Sequence, residues 1–158
     1  MSRGYGGTVK RRMAKASERI LNFKVTPYGD TSVMRELALA ENQTLYMLAA
    51  AIVEAFDFDF DHCFGFFNKF EKWFHADRAY ELFKDIGEEG SPNARGVKKI
   101  TTAEAFSLDK KLLFLFDYGD EWKFIVECIR EDVPVINRKY PFLITKIGDS
   151  PEQYPACD

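Results

Sequence analysis

Apolar and polar residues alternate through Ile20-Leu-Asn-Phe-Lys-Val25, the period-two pattern of a strand with one buried face. Pro27-Tyr-Gly-Asp30 supplies turn chemistry, and Val33 to Ala40 is a second apolar run, so the two segments predict a hairpin. The period then lengthens. Thr44 stands where a helix N-cap belongs, and Leu45, Leu48, Ala49, Ile52 and Phe56 recur at helical spacing with Glu54 off the stripe. This predicts a helix over 44–56 whose apolar face packs on a sheet.

Nine of the 15 phenylalanines fall between residues 56 and 83, so this stretch supplies much of the core's aromatic volume. It begins with an alternation: Phe56, Phe58, Phe60, His62, Phe64 and Phe66 on even positions, Asp57, Asp59 and Asp61 on odd ones. The pattern predicts a bend over 57–61 after the helix and a strand over 62–68, with His62 on the apolar register as a hydrogen-bonded core residue. A short helix through Tyr80 and Phe83 is expected over 76–85, a loop over 87–96, and one helical turn over 101–106. Leu112–Phe116 and Phe124–Ile129 are strand-like and flank Asp117-Tyr-Gly-Asp-Glu-Trp122, which predicts a second hairpin. Phe142–Ile147 is a last strand, and Pro151 and Pro155 keep the tail irregular.

The chain has 158 residues, a length that fits one domain, and 46% apolar with 30% charged residues, the balance of a soluble globular protein. No run approaches the ~18 apolar residues of a membrane span, and the first 18 residues lack the apolar core of a secretory leader. Charge is uneven. Residues 1–20 carry a net +5 and the rest of the chain −8. An acidic body repels phosphate backbones, so any nucleic-acid binding is expected through Lys10, Arg11, Arg12 and Lys15 of a flexible basic arm over residues 1–19. The domain proper is expected over residues 20–158. Cys63, Cys128 and Cys157 are odd in number with no C-x-x-C pair, which points to reduced thiols in a cytoplasm. With His62 and His75 they are too scattered for a structural zinc site, and no cofactor or metal is expected.

Two constellations stand out. Asp117, Asp120 and Glu121 place three carboxylates beside Trp122 in one tight turn, although Asp and Gly are also plain turn residues. Asp61-His62 is a candidate acid–base pair. Asp57-x-Asp59-x-Asp61 starts like a calcium loop, but counting from Asp57 it has His62 where glycine is needed and Asn68 where glutamate is needed. Lys69, Lys72, Arg78 and Lys84 interleave with Phe70, Trp73, Phe74 and Phe83, a possible stacking surface for single strands that the acidic body opposes. No G-x-S-x-G, G-x-x-x-x-G-K-[ST] or H-E-x-x-H motif is present.

Several of these segments together carry a family likeness: Val33-Met-Arg-Glu36, Thr44-Leu-Tyr through Ala55-Phe56, Asp61-His62 with Phe66, Phe116-Asp-Tyr-Gly-Asp-Glu-Trp122 followed by Glu127, Tyr140-Pro141, and Gly148…Pro151…Gln153-Tyr-Pro155. On these the chain resembles the plasmid pRiA4b ORF-3-like family, some of whose members are labelled transposon passenger proteins. The resemblance spans most of residues 20–155 and leaves the basic arm outside. It implies an α+β domain with one main helix against a mostly antiparallel sheet, here of about five or six strands on the segments above. It implies no reaction. Many members have histidine two residues after the tryptophan, where this chain has Phe124, and their Cys-Pro-Pro-Glu-Asp ending is replaced by Ser150-Pro-Glu-Gln-Tyr-Pro155.

The expectation is therefore a single-domain cytoplasmic binding module without catalytic residues, associated with mobile elements through its relatives. Asp61, His62, Asp117, Asp120, Glu121 and Trp122 would form the ligand site, for a protein or small-molecule partner and without a membrane. Two alternatives stand beside it. One is a nucleic-acid accessory protein acting through the arm. The other is a metal-assisted hydrolase built from Asp61, His62, Asp117, Asp120 and Glu121, which requires those groups to converge on one ion.

Overall fold

Both hairpins expected from the sequence lie in one sheet. The computed structural model describes residues 9–156. In chain order its elements are β1 (Arg12–Met13), β2 (Ile20–Pro27), β3 (Met34–Ala40), α1 (Leu45–Ala55), β4 (Phe64–Phe67), β5 (Ala79–Glu81), α2 (Leu82–Asp85), β6 (Ala94–Arg95), α3 (Thr102–Leu108), β7 (Lys111–Phe116), β8 (Trp122–Asp132), β9 (Lys139–Tyr140) and β10 (Phe142–Ile147). The main sheet has eight strands in the order β10-β3-β2-β8-β7-β4-β5-β6, and β1 pairs separately with β9. Every contact in the main sheet is antiparallel except β5–β6. The fold is α+β.

The expected five or six strands and one main helix understate this. The described residues hold three helices, and the additional strands β1, β5, β6 and β9 are two or three residues long. Segments that short cannot display a period. The helix expected over 76–85 is a helix only from Leu82, because Tyr80 is drawn into the sheet opposite Phe66 and buried.

Burial explains the layers. Phe23, Val25, Leu37, Leu39, Phe64, Phe66, Leu112, Phe114, Phe116, Phe124 and Val126 alternate along their strands onto one face, where α1 and α3 cover them. The alanines Ala49, Ala50 and Ala51 let α1 approach closely, and Thr44 Oγ1 caps it by accepting from the Met47 N–H at 3.3 Å. Phe114, Phe116 and Phe124 have no exposed surface to speak of, and burying each stabilises the fold by about 1.5–3 kcal/mol. On the opposite face Phe67, Ala79, Leu113 and Leu115 pack under Phe70, Trp73 and Tyr118.

Arg35 on β3 is fully buried. Its Nε donates to Ala55 O at 2.8 Å, its Nη1 to Met34 O and Ile147 O at 2.9 Å each, and its Nη2 to Ser150 Oγ at 2.9 Å. The guanidinium also lies 4.8 Å from the Phe56 ring centre. Burial pulls its pKa below the ordinary value, against the charges of Asp57 and Asp149. One side chain thus joins β3, the end of α1, the end of β10 and the C-terminal tail. Gly148, with φ +79°, turns the chain there, and a Cβ at that position would meet Ser32 O at 2.8 Å.

Of the arm expected to be flexible, residues 1–8 lie outside the described residues, while 9–19 are docked. Arg11 Nε donates to Pro141 O at 2.9 Å and its Nη2 pairs with Glu54. Arg12 grips Glu18 through two 2.8 Å bonds, and the Lys15 N–H donates to the same carboxylate at 2.8 Å. The Arg12 bonds outweigh burial and hold Glu18 at about 2, below its ordinary 4.5. A carboxyl depressed on folding contributes stability that is fully present above its unfolded value and is lost as pH falls through its folded value. Glu18→Gln is therefore expected to destabilise by about 1–2 kcal/mol at neutral pH, discounted for the half-exposed Arg12. In denaturant titrations the gap between variant and wild type should narrow between pH 4.5 and 2. A gap that holds constant across that window would show that Glu18 acts without its charge.

Candidate functional site

The candidate site forms where the chain leaves α1. Asp57 adopts φ 61° just past the end of the helix. Phe58 and Phe60 then turn inward, as the alternation requires. Phe58 meets Trp122 edge-on at 4.8 Å, and Phe60 lies 5.3 Å from Phe64 and 5.5 Å from Tyr46. The odd-numbered acids face the C-terminal tail. Gln153, 9% exposed, accepts from the Asp59 N–H at 2.7 Å and donates to Asp59 O at 3.2 Å, so its amide acts as a strand neighbour. It also donates to Asp61 Oδ1 at 3.2 Å, and the Tyr154 hydroxyl donates to Asp61 Oδ2 at 2.8 Å.

His62 is exposed at the start of this rim rather than buried in the core, because the strand starts only at Phe64. Its Nδ1 lies 2.9 Å from Asp61 Oδ1 and its Nε2 lies 3.5 Å from Asp117 Oδ2. Each ring nitrogen thus has a carboxylate oxygen within 3.5 Å. Asp117 is buried at φ 69° and is fixed by its own turn. Its Oδ1 accepts from the Gly119 and Asp120 N–H groups at 3.1 and 3.3 Å, and its N–H donates to Cys63 O at 2.9 Å.

The structure thus brings Asp61, His62 and Asp117 together. Asp120 is near enough for its charge to act on Tyr154. Glu121 instead turns to Lys123 at 3.3 Å. Trp122 packs on Phe58, and its buried Nε1 has no hydrogen-bond partner among the described residues. Tyr154 and Gln153 join the candidate site through Asp61, and the sequence reading did not name them. Their signal was the Gln153-Tyr-Pro155 segment, visible as part of the family likeness but without chemistry until the tail is seen to fold back. Of the four arm residues, Arg11 and Arg12 are engaged with Glu54 and Glu18, and Lys10 and Lys15 are exposed. Arg78 of the aromatic–basic stretch pairs with Asp109, and Trp73 packs on Phe67 and Tyr118.

Three side chains at the rim are shifted from their ordinary values. Burial would raise the Asp61 carboxyl, but bonds from Tyr154 and His62 outweigh it and hold it below its ordinary value. Burial, the bond to Asp61 and the charges of Asp117 and Asp120 push the Tyr154 phenol up. Burial, with Glu88 and Glu81, pushes the Cys63 thiol up as well. Beneath Tyr118, whose hydroxyl donates to Glu81 Oε2 at 2.6 Å, burial and that bond push the phenol up.

Beside the rim is a cavity of about 350 Å³. Tyr46, Ala50, Phe60, Phe64 and Leu82 form its apolar wall, and Asp61, His62 and Cys63 its polar side. Lys98 Nζ lies 5.2 Å from the centre of the Tyr46 ring. Among the described residues no group of three His, Cys, Asp or Glu side chains is arranged to hold a metal ion.

Fold and site together define an α+β protein with a small aromatic cavity under an acidic rim. The family model for plasmid pRiA4b ORF-3-like protein matches residues 19–153, and the chain belongs to that family. The match includes Asp61, His62, the Asp117–Trp122 turn and Gln153, and stops one residue before Tyr154. Comparison with curated proteins returns no match. Among solved structures, the crystal structure of a protein of unknown function, MM3350 from Methanosarcina mazei Go1, is similar. It has a TM-score of 0.70 and 23% identity, covering 86% of this chain and 73% of that one. That likeness is one of fold. No helix among the described residues is long and apolar enough to cross a membrane.

Proposed function

We propose that the protein is a non-catalytic binding module whose aromatic cavity takes a compact ligand with an apolar or aromatic body and a positively charged head. The observation that carries this reading is the cavity itself, with Tyr46, Phe60, Phe64 and Leu82 on one side and Asp61 on the other. Asp61, Asp117 and Asp120 crowd one side of the rim against the single imidazole of His62, which suits a cation entering over aromatic rings. The side chains that could act as nucleophiles are held back: the Cys63 thiol and the Tyr154 phenol are both pushed toward their protonated forms. The ligand is a small molecule or the side chain of a protein partner. Free thiols at Cys63 and Cys128 suit a reducing compartment such as the cytoplasm. Service within mobile elements is supported by the plasmid origin of the family's name alone.

A thermal-unfolding panel of arylalkylamines and guanidines, with divalent metals, nucleotides and oligonucleotides as comparators, tests the reading. A ligand at 100 times its Kd should raise Tm by about 5–10 °C. Asp61→Asn is expected to weaken the cationic ligand about tenfold, since a charge-assisted contact is lost. A shift with metals or oligonucleotides only, or binding that ignores Asp61→Asn, would overturn it.

A further inference from the structure

Among the described residues, the first strand of the main sheet has one bare side: β10 is hydrogen-bonded to β3 and to no other strand, and its six residues carry exposed Leu143 and Ile147. Its two ends differ in charge. At the start, Arg138 lies with its guanidinium 3.9 Å from the Phe142 ring centre, and exposed Lys139 follows. Neither is in an ion pair among the described residues. Val135 and Ile136, 47% and 87% exposed, project beside them. At the far end lies a shallow depression of about 570 Å³ that gathers Asp57, Asp59, Asp149 and Glu152 with one cation, Lys146. Asp149 and Glu152 form no ion pair among the described residues.

We propose that two copies of this chain pair through β10, antiparallel about a twofold axis, so that the sheet continues from one copy into the other. The charge order is the argument. In an antiparallel pair the start of each strand lies beside the end of its mate. Arg138 and Lys139 of each copy then face Asp149 and Glu152 of the other, at both ends at once. A parallel pair would set like charges together. A strand from another protein would need the same order of charges, which a second copy has by construction.

A lone edge lysine often bars such pairing, but Lys146 lies 3.8 Å from Asp57 of its own chain. The bulge between Leu143 and Thr145 divides the edge into two short ladders, so the terminal charges decide the orientation. Pairing also covers Leu143, and it sets cations of the mate beside the tail that carries Gln153 and Tyr154. It does not depend on what the cavity binds.

Sedimentation velocity on the full chain, from micromolar to submillimolar concentration and at two ionic strengths, reads the outcome. The expected species is a closed dimer that dissociates more readily as salt rises. Reversing the basic end with Arg138→Glu and Lys139→Glu should raise the dimer Kd by about tenfold or more. Adding Asp149→Lys and Glu152→Lys to the same chain should restore it, with circular dichroism confirming the fold throughout. A second measurement needs no variant: hydrogen-exchange protection of the β10 amides should rise with wild-type concentration. A monomer at every concentration, open filaments, a dimer indifferent to the reversed charges, a folded quadruple variant that stays monomeric, or β10 protection independent of concentration would each overturn the proposal.

Discussion

Replacing Arg35 with methionine is expected to destabilise the protein by about 3–5 kcal/mol, because a buried donor group is removed and its acceptors are left unpaired. The volume is nearly kept, so the loss is one of hydrogen bonding rather than of packing. Ala55 O, Met34 O, Ile147 O and Ser150 Oγ all lose the Arg35 donor, and they belong to four different parts of the chain; Ser150 Oγ keeps its own donation to Asp57 at 2.7 Å. Arg35→Lys keeps the charge but cannot reach four acceptors from one ammonium, and should recover less than half of the loss. Ser150→Ala removes one of the four Arg35 bonds together with the exposed bond to Asp57, and should cost about 1–2 kcal/mol. Chemical denaturation measures all three, and a loss under about 1 kcal/mol for Arg35→Met would show that the four bonds are replaceable. The consequence reaches the site. With Arg35 gone the tail is held by the Ser150 Oγ–Asp57 bond, Gln153 and Tyr154, so proteolysis within residues 149–156 should quicken even where the domain stays folded.

How much of this was legible in the sequence depends on the range of each signal. β2, β3, α1, β7, β8 and β10 each show a clear period, and the structure has them within a few residues of their expected bounds. Thr44 worked as a cap because a cap is a local device. β1 and β9 were invisible for the opposite reason: two residues pair with two others that lie more than a hundred positions away. Arg35 carried no signal of its role, since no local pattern announces carbonyls contributed by α1 and β10. His62 shared the parity of Phe64 and Phe66 and so looked buried; the bend runs further than expected, and parity means nothing before a strand has begun. In the candidate site, Asp61, His62 and Asp117 were singled out from residue type and spacing, and the structure places them side by side. Their neighbours Gln153 and Tyr154 arrive over about ninety residues through a tail whose own composition suggested only irregular backbone.

Asp117 is where fold and function can be separated by choice of substitution. Asp117→Ala is expected to destabilise by about 2–4 kcal/mol, from a left-handed backbone that alanine tolerates poorly and from two N–H groups left without an acceptor. The strain is real at φ 69°, and the lost acceptor is the one that holds Gly119 and Asp120 in the turn. Asp117→Asn changes neither. Asparagine accepts the left-handed conformation, and its side-chain oxygen can take the same two bonds. Its stability should therefore stay within about 1 kcal/mol of wild type. What it removes is the negative charge 3.5 Å from His62 Nε2. If that charge helps to fix the rim for a cationic ligand, Asp117→Asn should fold normally and bind about fivefold to tenfold more weakly. Melting curves and a ligand titration on the two variants decide it. Equal stability losses would make the carboxylate a purely structural group, and unchanged binding by the asparagine variant would leave Asp61 as the acid that recognises the cation.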